Sequence, residues 1–304
     1  MKDGLHGIIA ALVTPMGRSG EIDVGMLERL LDRLMGEGIH GVLPLGSTGE
    51  FFSLNESERE SVLKATFRTC GGKVPVIVGA TEAGTRETIE NCVRAEKFGA
   101  SAVLLAAPFY ATPTPDELVA HFRSVDRAIG IPIVLYNCPG RTHVDMKPEL
   151  IERLAELKNV RYIKESSGDL TRTGEIIRRC GRRLTVLCGS DGEALASFAM
   201  GGAGWVTGAA NFLCRELVEF YEMALVRGEA DAARERFYRL LPVLSLLEGE
   251  GKYVQYTKAA CEVFGIEAGP PRPPLYPATA EEVTRIRRTL KLAKAANGAR
   301  SATV

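Results

Sequence analysis

A surplus of either charge is missing from this chain. Lysine and arginine number 38, aspartate and glutamate also 38, and the formal net charge is zero. Without a basic balance there is no electrostatic footprint for a phosphate backbone, so nucleic acid is not an expected partner. Apolar runs long enough to span a bilayer are missing too, which argues against a membrane role. The opening stretch Met1-Lys2-Asp3-Gly4 begins none of the charged, apolar and cleavage regions of a secretory signal. Seven cysteines are scattered, with no C-x-x-C pair and no histidine at zinc spacing. That argues against a disulfide framework and a structural metal, and for reduced thiols in the cytoplasm. Cys138 stands among polar strand-end residues, but a small buried cysteine usually just packs. No linker or shift of composition interrupts the chain.

Present instead is an alternation of apolar runs and helix-period stretches over 304 residues, 45% of them hydrophobic and 25% charged. Strands are expected at Gly7 to Pro15, Gly41 to Gly46, Val74 to Ala80, Ser101 to Pro108, Ile131 to Asn137, a run ending at Lys164, Leu184 to Ser190, and Gly204 to Asn211. They are near-continuous apolar runs, as in parallel strands buried on both faces. Helix starts are legible between them. Asp23 caps one; Asn55 with Glu58 and Thr114-Pro115-Asp116-Glu117 carry capping signals. Eight such units predict an α/β chain folded as a (β/α)8 TIM barrel over residues 1–227. After Arg215 the pattern turns helical: Glu216 to Arg227, Ala230 to Leu247, Tyr253 to Phe264 and about Ala280 to Ala295, with Gly269 to Pro277 irregular. This predicts a helical extension over 228–296 and a frayed tail at 297–304.

In such barrels the chemistry sits at the carboxyl ends of the strands. Val160-Arg161-Tyr162-Ile163-Lys164-Glu165 alternates Tyr162 and Lys164 onto one face, with Ile163 on the other. If that face looks into the barrel, Lys164 is confined and partly dry. Burial lowers a lysine's pKa, and a neutral amine attacks carbonyl carbon. Gly46-Ser47-Thr48-Gly49 is a glycine-flanked hydroxyl pair able to face a carboxylate. Tyr136 and Arg141 stand at and after the end of the fifth strand. Alone, each of these reads as an ordinary turn, a core aromatic or a surface charge.

Together and in this order, G-S-T-G-E, Y-N-C-P-G-R and I-K-E-S-S-G-D resemble the dihydrodipicolinate synthase / N-acetylneuraminate lyase family of pyruvate-dependent Schiff-base enzymes. The resemblance covers the barrel and much of the extension. It implies that Lys164 forms an imine with a 2-oxo acid, usually pyruvate. Tyr136 would relay protons. Ser47 and Thr48 would bind the oxo acid's carboxylate, Ser47 also passing a proton to Tyr136. Tyr110 matches a tyrosine that the family lends to a neighbouring subunit. Arg141 would hold the carboxylate of the second substrate, Val206 would line the pyruvate pocket, and Gly189 would let the backbone approach. An aldehyde co-substrate, no organic cofactor or metal, and a homotetramer built as a dimer of dimers are further implications.

Within that family the leading expectation is a dihydrodipicolinate synthase-like enzyme that joins pyruvate to aspartate semialdehyde. The alternative is a 2-keto-3-deoxy sugar acid aldolase or dehydratase, favoured by the bulky Phe51-Phe52 where typical synthases carry smaller residues. Ser47 replaces the first of the synthases' two threonines but keeps a hydroxyl. Phe51, Glu56, Ala83 and Phe109 do not match the polar residues that bind feedback lysine in bacterial synthases, so inhibition by L-lysine is not expected. Two readings of other classes stand beside these. One is a phosphate-binding barrel using Gly189-Ser190-Asp191-Gly192 and Gly201-Gly202-Ala203-Gly204. The other is a non-catalytic barrel that binds a 2-oxo acid.

Overall fold

The computed structural model describes residues 4–295; the expected tail at 297–304 and residue 296 lie outside them. Its parallel strands are β1 (Gly7–Ala11), β2 (Gly41–Leu43), β3 (Ile77–Gly79), β4 (Ala102–Ala106), β5 (Ile133–Asn137), β6 (Val160–Glu165), β7 (Thr185–Cys188) and β8 (Gly204–Thr207). Their order is β2-β1-β8-β7-β6-β5-β4-β3. The two ends meet through a parallel bridge between Val42 and Val76. Val42 N donates to Pro75 O and Gly79 N to Pro44 O, at 3.0 Å each. The sheet therefore closes as the expected (β/α)8 barrel.

The helices are α1 (Val24–Gly36), α2 (Glu56–Cys70), α3 (Thr85–Lys97), α4 (Pro115–Ala128), the short α5 (Pro139–Thr142), α6 (Pro148–Leu154), α7 (Thr171–Cys180), α8 (Ala194–Ala199) and α9 (Ala210–Tyr221). A C-terminal segment adds α10 (Ala230–Glu248), α11 (Tyr253–Val263) and α12 (Ala280–Ala295). The caps form as expected. Asp23 Oδ1 accepts from Met26 N at 2.7 Å. Asn55 and Glu58 exchange bonds of 2.9 and 3.0 Å, the reciprocal arrangement that satisfies two orphan amides at a helix start.

Strand side chains alternate between two cores. Ile9, Ala11, Leu104, Ala106, Val134 and Tyr136 fill the barrel. Their neighbours Ile8, Ala10, Val103, Leu105, Ile133 and Leu135 pack outward against the helices. This period of two is what sends one residue of each pair to the barrel interior.

Several strands end sooner than the apolar runs suggest, β1 at Ala11 among them, and at two the cause is plain. β2 stops at Leu43 because Pro44 has no N–H to continue a ladder and Leu45 turns to a φ of 58°. The run expected to be strand through Asn211 stops at Thr207, and α9 begins at Ala210 rather than Glu216. Asn211 is spent on the barrel instead: its amide donates to Ala11 O at 2.8 Å and its carbonyl accepts from Val13 N at 3.1 Å.

The C-terminal segment is tied to the barrel at three levels. Phe237 packs on Phe220 and Phe264 on Phe212, with ring centroids 5.3 and 5.7 Å apart. Lys258 Nζ reaches Glu50 Oε1 at 2.6 Å, both side chains 2% exposed or less. The irregular stretch after α11 then crosses back: Arg272 N donates to Glu50 Oε2 at 2.8 Å, and its guanidinium donates to Ser53 O at 2.7 Å and pairs with Glu58. Glu50 is the last residue of G-S-T-G-E and sits at a φ of 56°, so a strained loop is held by an ion pair from the far end of the chain.

All seven cysteines are free and buried. Among the described residues no helix is long and apolar enough to cross a membrane.

Removing one partner of a buried ion pair strands the other. Lys258→Met is expected to lower the unfolding free energy by about 3–5 kcal/mol, read by urea denaturation. Adding Glu50→Leu to it should recover part of the loss, and a single variant as stable as the parent would show the pair to be idle.

Candidate active site

Lys164 is the penultimate residue of β6, directly paired in register with Tyr136 of β5 on one side and Leu187 of β7 on the other. The alternation places both Lys164 and Tyr136 inward, each 8% exposed. Nζ lies 4.4 Å from the centre of the Tyr136 ring. Burial pulls the Lys164 ammonium down to about 8, with Arg141 adding in the same direction and Asp191 opposing. Burial pushes the Tyr136 phenol above its usual range, Arg141 and Ser166 partly countering. The same cause pushes the Cys138 thiol, which lines the cavity, up to about 11.

These groups open into a cavity of about 340 Å³ at the carboxyl end of the barrel. Its wall includes Ser47, Thr48, Tyr136, Arg141, Lys164, Gly189 and Val206. Seven of the eight residues picked from the sequence thus come together. Tyr110 does not: its side chain is 97% exposed, on a backbone held at a φ of 74°.

The hydroxyl pair sits in a loop that closes on itself. Gly49 N donates to Gly46 O at 3.0 Å and Glu50 N to Ser47 O at 3.1 Å, and Thr14 Oγ1 donates to Gly49 O at 2.7 Å. The later amides of the turn are therefore used internally, and the expected anion-binding nest is confined to its Ser47-Thr48 half. At Gly189 an added Cβ would lie 2.0 Å from Ser166 Oγ and 2.7 Å from Lys164 Cε. The close approach at Gly189 is that of the lysine's own stem, which no other residue type would admit.

A polar network behind the wall fixes the two strand ends. Asn137 and Glu165, each one residue beyond an inward side chain, point outward and meet: Asn137 Nδ2 donates to Glu165 Oε2 at 3.1 Å and to Asp145 Oδ1 at 3.2 Å. Arg172 grips Asp145 with two bonds of 3.1 and 2.9 Å. It holds the Asp145 carboxyl well below the usual carboxylate range. The sequence analysis assigns this network no role, although the period of two that turns Tyr136 and Lys164 inward also turns Asn137 and Glu165 outward. Ser166, Glu248, Gly251 and Tyr253 also line the cavity without having been singled out; the last three come from the C-terminal segment, too far along the chain for strand-end logic to find.

The glycine-rich phosphate reading meets an occupied cradle. Asp191 N and Gly192 N, the amides after β7, donate to the Glu248 carboxylate at 2.7 and 3.2 Å. A carboxylate already fills the place a phosphate would take. Gly202 serves packing, since a Cβ there would meet Ser197 Oγ at 2.5 Å.

Beside the main cavity opens an apolar bay of about 280 Å³, lined by Phe51, Phe52, Phe109, Leu104 and Ala106, with Ser47, Tyr136 and Arg141 on the shared wall. Phe51 stands edge-on to both Phe52 and Phe109, at centroid distances of 5.8 and 6.4 Å. Among the described residues no group of three or more His, Cys, Asp or Glu side chains is arranged to hold a metal ion.

The model of the dihydrodipicolinate synthetase family matches residues 4–293. A 4-hydroxy-tetrahydrodipicolinate synthase from Methanopyrus kandleri is 38% identical over 290 residues, covering 94% of this chain and 96% of that protein. The dihydrodipicolinate synthase of Thermotoga maritima superposes with a TM-score of 0.91 at 33% identity, over 95% of this chain and 99% of that one. The chloride-inhibited dihydrodipicolinate synthase of Acinetobacter baumannii, solved with pyruvate, does so with a TM-score of 0.90 at 30% identity, over 96% and 99%. With its barrel, its buried lysine and its match along nearly the whole length, the chain belongs to the dihydrodipicolinate synthetase family and is an enzyme of that lyase class.

Proposed function

We propose that the protein condenses pyruvate with aspartate semialdehyde through an imine on Lys164. The observation that carries this reading is a buried lysine with no ion-pair contact among the described residues. Lys164 meets the face of Tyr136 and, among the described residues, no carboxylate at ion-pair distance. An amine pulled down to about 8 is neutral in about a tenth of molecules at pH 7, enough to react continuously.

The steps follow from the groups present. Nζ attacks the keto carbon of pyruvate while Ser47 and Thr48 hold its carboxylate. The resulting carbinolamine loses its hydroxyl as water. Tyr136 is suited to deliver that proton, because burial keeps its phenol protonated at neutral pH. The protonated imine then draws electrons from the methyl group; a proton leaves it, and an enamine remains. The enamine carbon attacks the aldehyde carbon, forming the C–C bond, and the aldehyde oxygen takes a proton to become a hydroxyl. Arg141, exposed on α5 at the mouth, is placed to hold the aldehyde's carboxylate. The imine supplies the electron sink that a cofactor would otherwise provide.

The apolar bay bears on two further points. A sugar-acid chain would lay hydroxyls against Phe51, Phe52 and Phe109, which offer them no partners, so the sugar-acid alternative ranks second. The bay also opens directly onto Ser47 and Tyr136, while each protomer's own Tyr110 stands in solvent. Its shape supports entry of Tyr110 from a second copy, completing the proton relay in an oligomer of the dimer-of-dimers kind. Buried, unpaired thiols throughout support a cytoplasmic site of action.

Treatment with pyruvate and borohydride should fix a reduced adduct on Lys164, seen by peptide mass spectrometry; modification elsewhere, or none, would refute the imine. Because the reactive form is the neutral amine, kcat/KM for pyruvate should rise with pH through about 8 and level off above it. A profile flat from pH 6 to 9 would show that Lys164 is not the titrating nucleophile. Tyr110→Phe should lower kcat by about 10²-fold while the adduct still forms, and unchanged turnover would remove Tyr110 from the relay.

A further inference from the structure

Resting on the pyruvate reading, we propose that Tyr253 is a positioning residue for the oxo-acid pocket, oriented by Asp191, and that through it the C-terminal segment completes the wall behind Thr48. The geometry converges on Gly208, just after β8. Gly208 N donates to the Tyr253 hydroxyl oxygen at 2.9 Å. The same hydroxyl donates to Asp191 Oδ2 at 2.7 Å. Asp191 is 1% exposed, and its other oxygen accepts from the buried Trp205 Nε1 at 3.1 Å. A Cβ at Gly208 would lie 2.7 Å from Tyr253 Cε1 and 3.2 Å from Thr48 Cγ2. The phenol, the β8 backbone and the threonine that faces the substrate carboxylate thus pack at a single point.

Direction matters in this chain of bonds. Burial and the nearby Glu248 push the Asp191 carboxyl up to about 7, while the bond from Tyr253 favours its ionised form; ionised, Asp191 can only accept, and it turns the Tyr253 proton toward itself. That leaves the phenol oxygen's lone pairs for Gly208 N–H. Without the hydroxyl, a buried amide loses its acceptor and the loop after β8 is free to shift against Thr48. The segment is held independently of the Tyr253 hydroxyl, by Glu248 on the amides of Asp191 and Gly192 and by Lys258 and Arg272 on Glu50. Tyr253→Phe therefore leaves the segment docked while cutting one link, and Asp191→Asn keeps an acceptor for Trp205 while offering Tyr253 the wrong group.

The test is adduct formation on Lys164 against pyruvate concentration, with borohydride trapping, alongside steady-state kinetics of the intact enzyme. Each single variant should raise the half-saturating pyruvate concentration and KM by about five- to tenfold, the scale of one lost hydrogen bond, with kcat within about twofold of the parent. The double variant should shift them no further than the larger single effect, because both substitutions cut the same link. An unchanged half-saturation, a fall in kcat at constant KM, or fully multiplicative effects would overturn the proposal while leaving the imine intact. Absence of any adduct in the parent would overturn the pyruvate reading and this proposal together.

Discussion

An ammonium group taken out of water needs a counter-charge or must give up its proton more readily. Among the described residues two lysines are buried, and burial pulls both ammonium groups down; they differ in what opposes it. Lys258 lies against Glu50 at 2.6 Å and works as a structural cation. Lys164 is also buried but faces a ring and a cavity. What separates them is register: Lys164 occupies an inward position near the end of a barrel strand, between Tyr136 and Leu187, where Asp191 acts on it only from beyond ion-pair distance. The barrel supplies dryness, and the strand ends bring a phenol and a pair of hydroxyls to the same cavity.

The two lysines are also connected in purpose. Glu50 belongs to the turn that carries Ser47 and Thr48, and its φ of 56° is one a glutamate does not favour. Lys258 and the backbone of Arg272 hold it there. The C-terminal segment is thus a brace for the active-site turn. Its α10 and α11 reach the opposite wall through Glu248 and Tyr253. The mouth is consequently shaped as much by residues after 228 as by the barrel strands.

Much of this was legible in the sequence for definite reasons. Apolar runs of strand length, capping residues at Asp23, Asn55 and Thr114, and the alternation of Tyr162-Ile163-Lys164 each encode a local geometry that the barrel then uses. Resemblance to the family supplied the grouping of Ser47, Thr48, Tyr136, Arg141, Gly189 and Val206, which no single motif could have carried. Strand ends were overestimated where a polar or Pro-containing step left the ladder while the run stayed apolar, as after Leu43 and Thr207. Glu50, Asp191, Glu248 and Tyr253 could not be read, since their partners lie between 14 and 222 residues away and only the folded chain brings them into reach. Tyr110, picked as a donor to another subunit, stands outside the cavity of its own chain, with its side chain in solvent.

The space beside Gly189 has one more consequence. The lysine's long stem threads where any larger residue would collide, with Cγ and Cε both 2.7 Å from the position a methyl would take. A free lysine carries about 2 kcal/mol of rotamer entropy, which a reaction at its tip would ordinarily have to surrender. Here that freedom is already lost when the barrel folds, before any ligand arrives. In the proposed reaction the nucleophile would wait preorganised, with the disorder it might have brought to the transition state removed in advance.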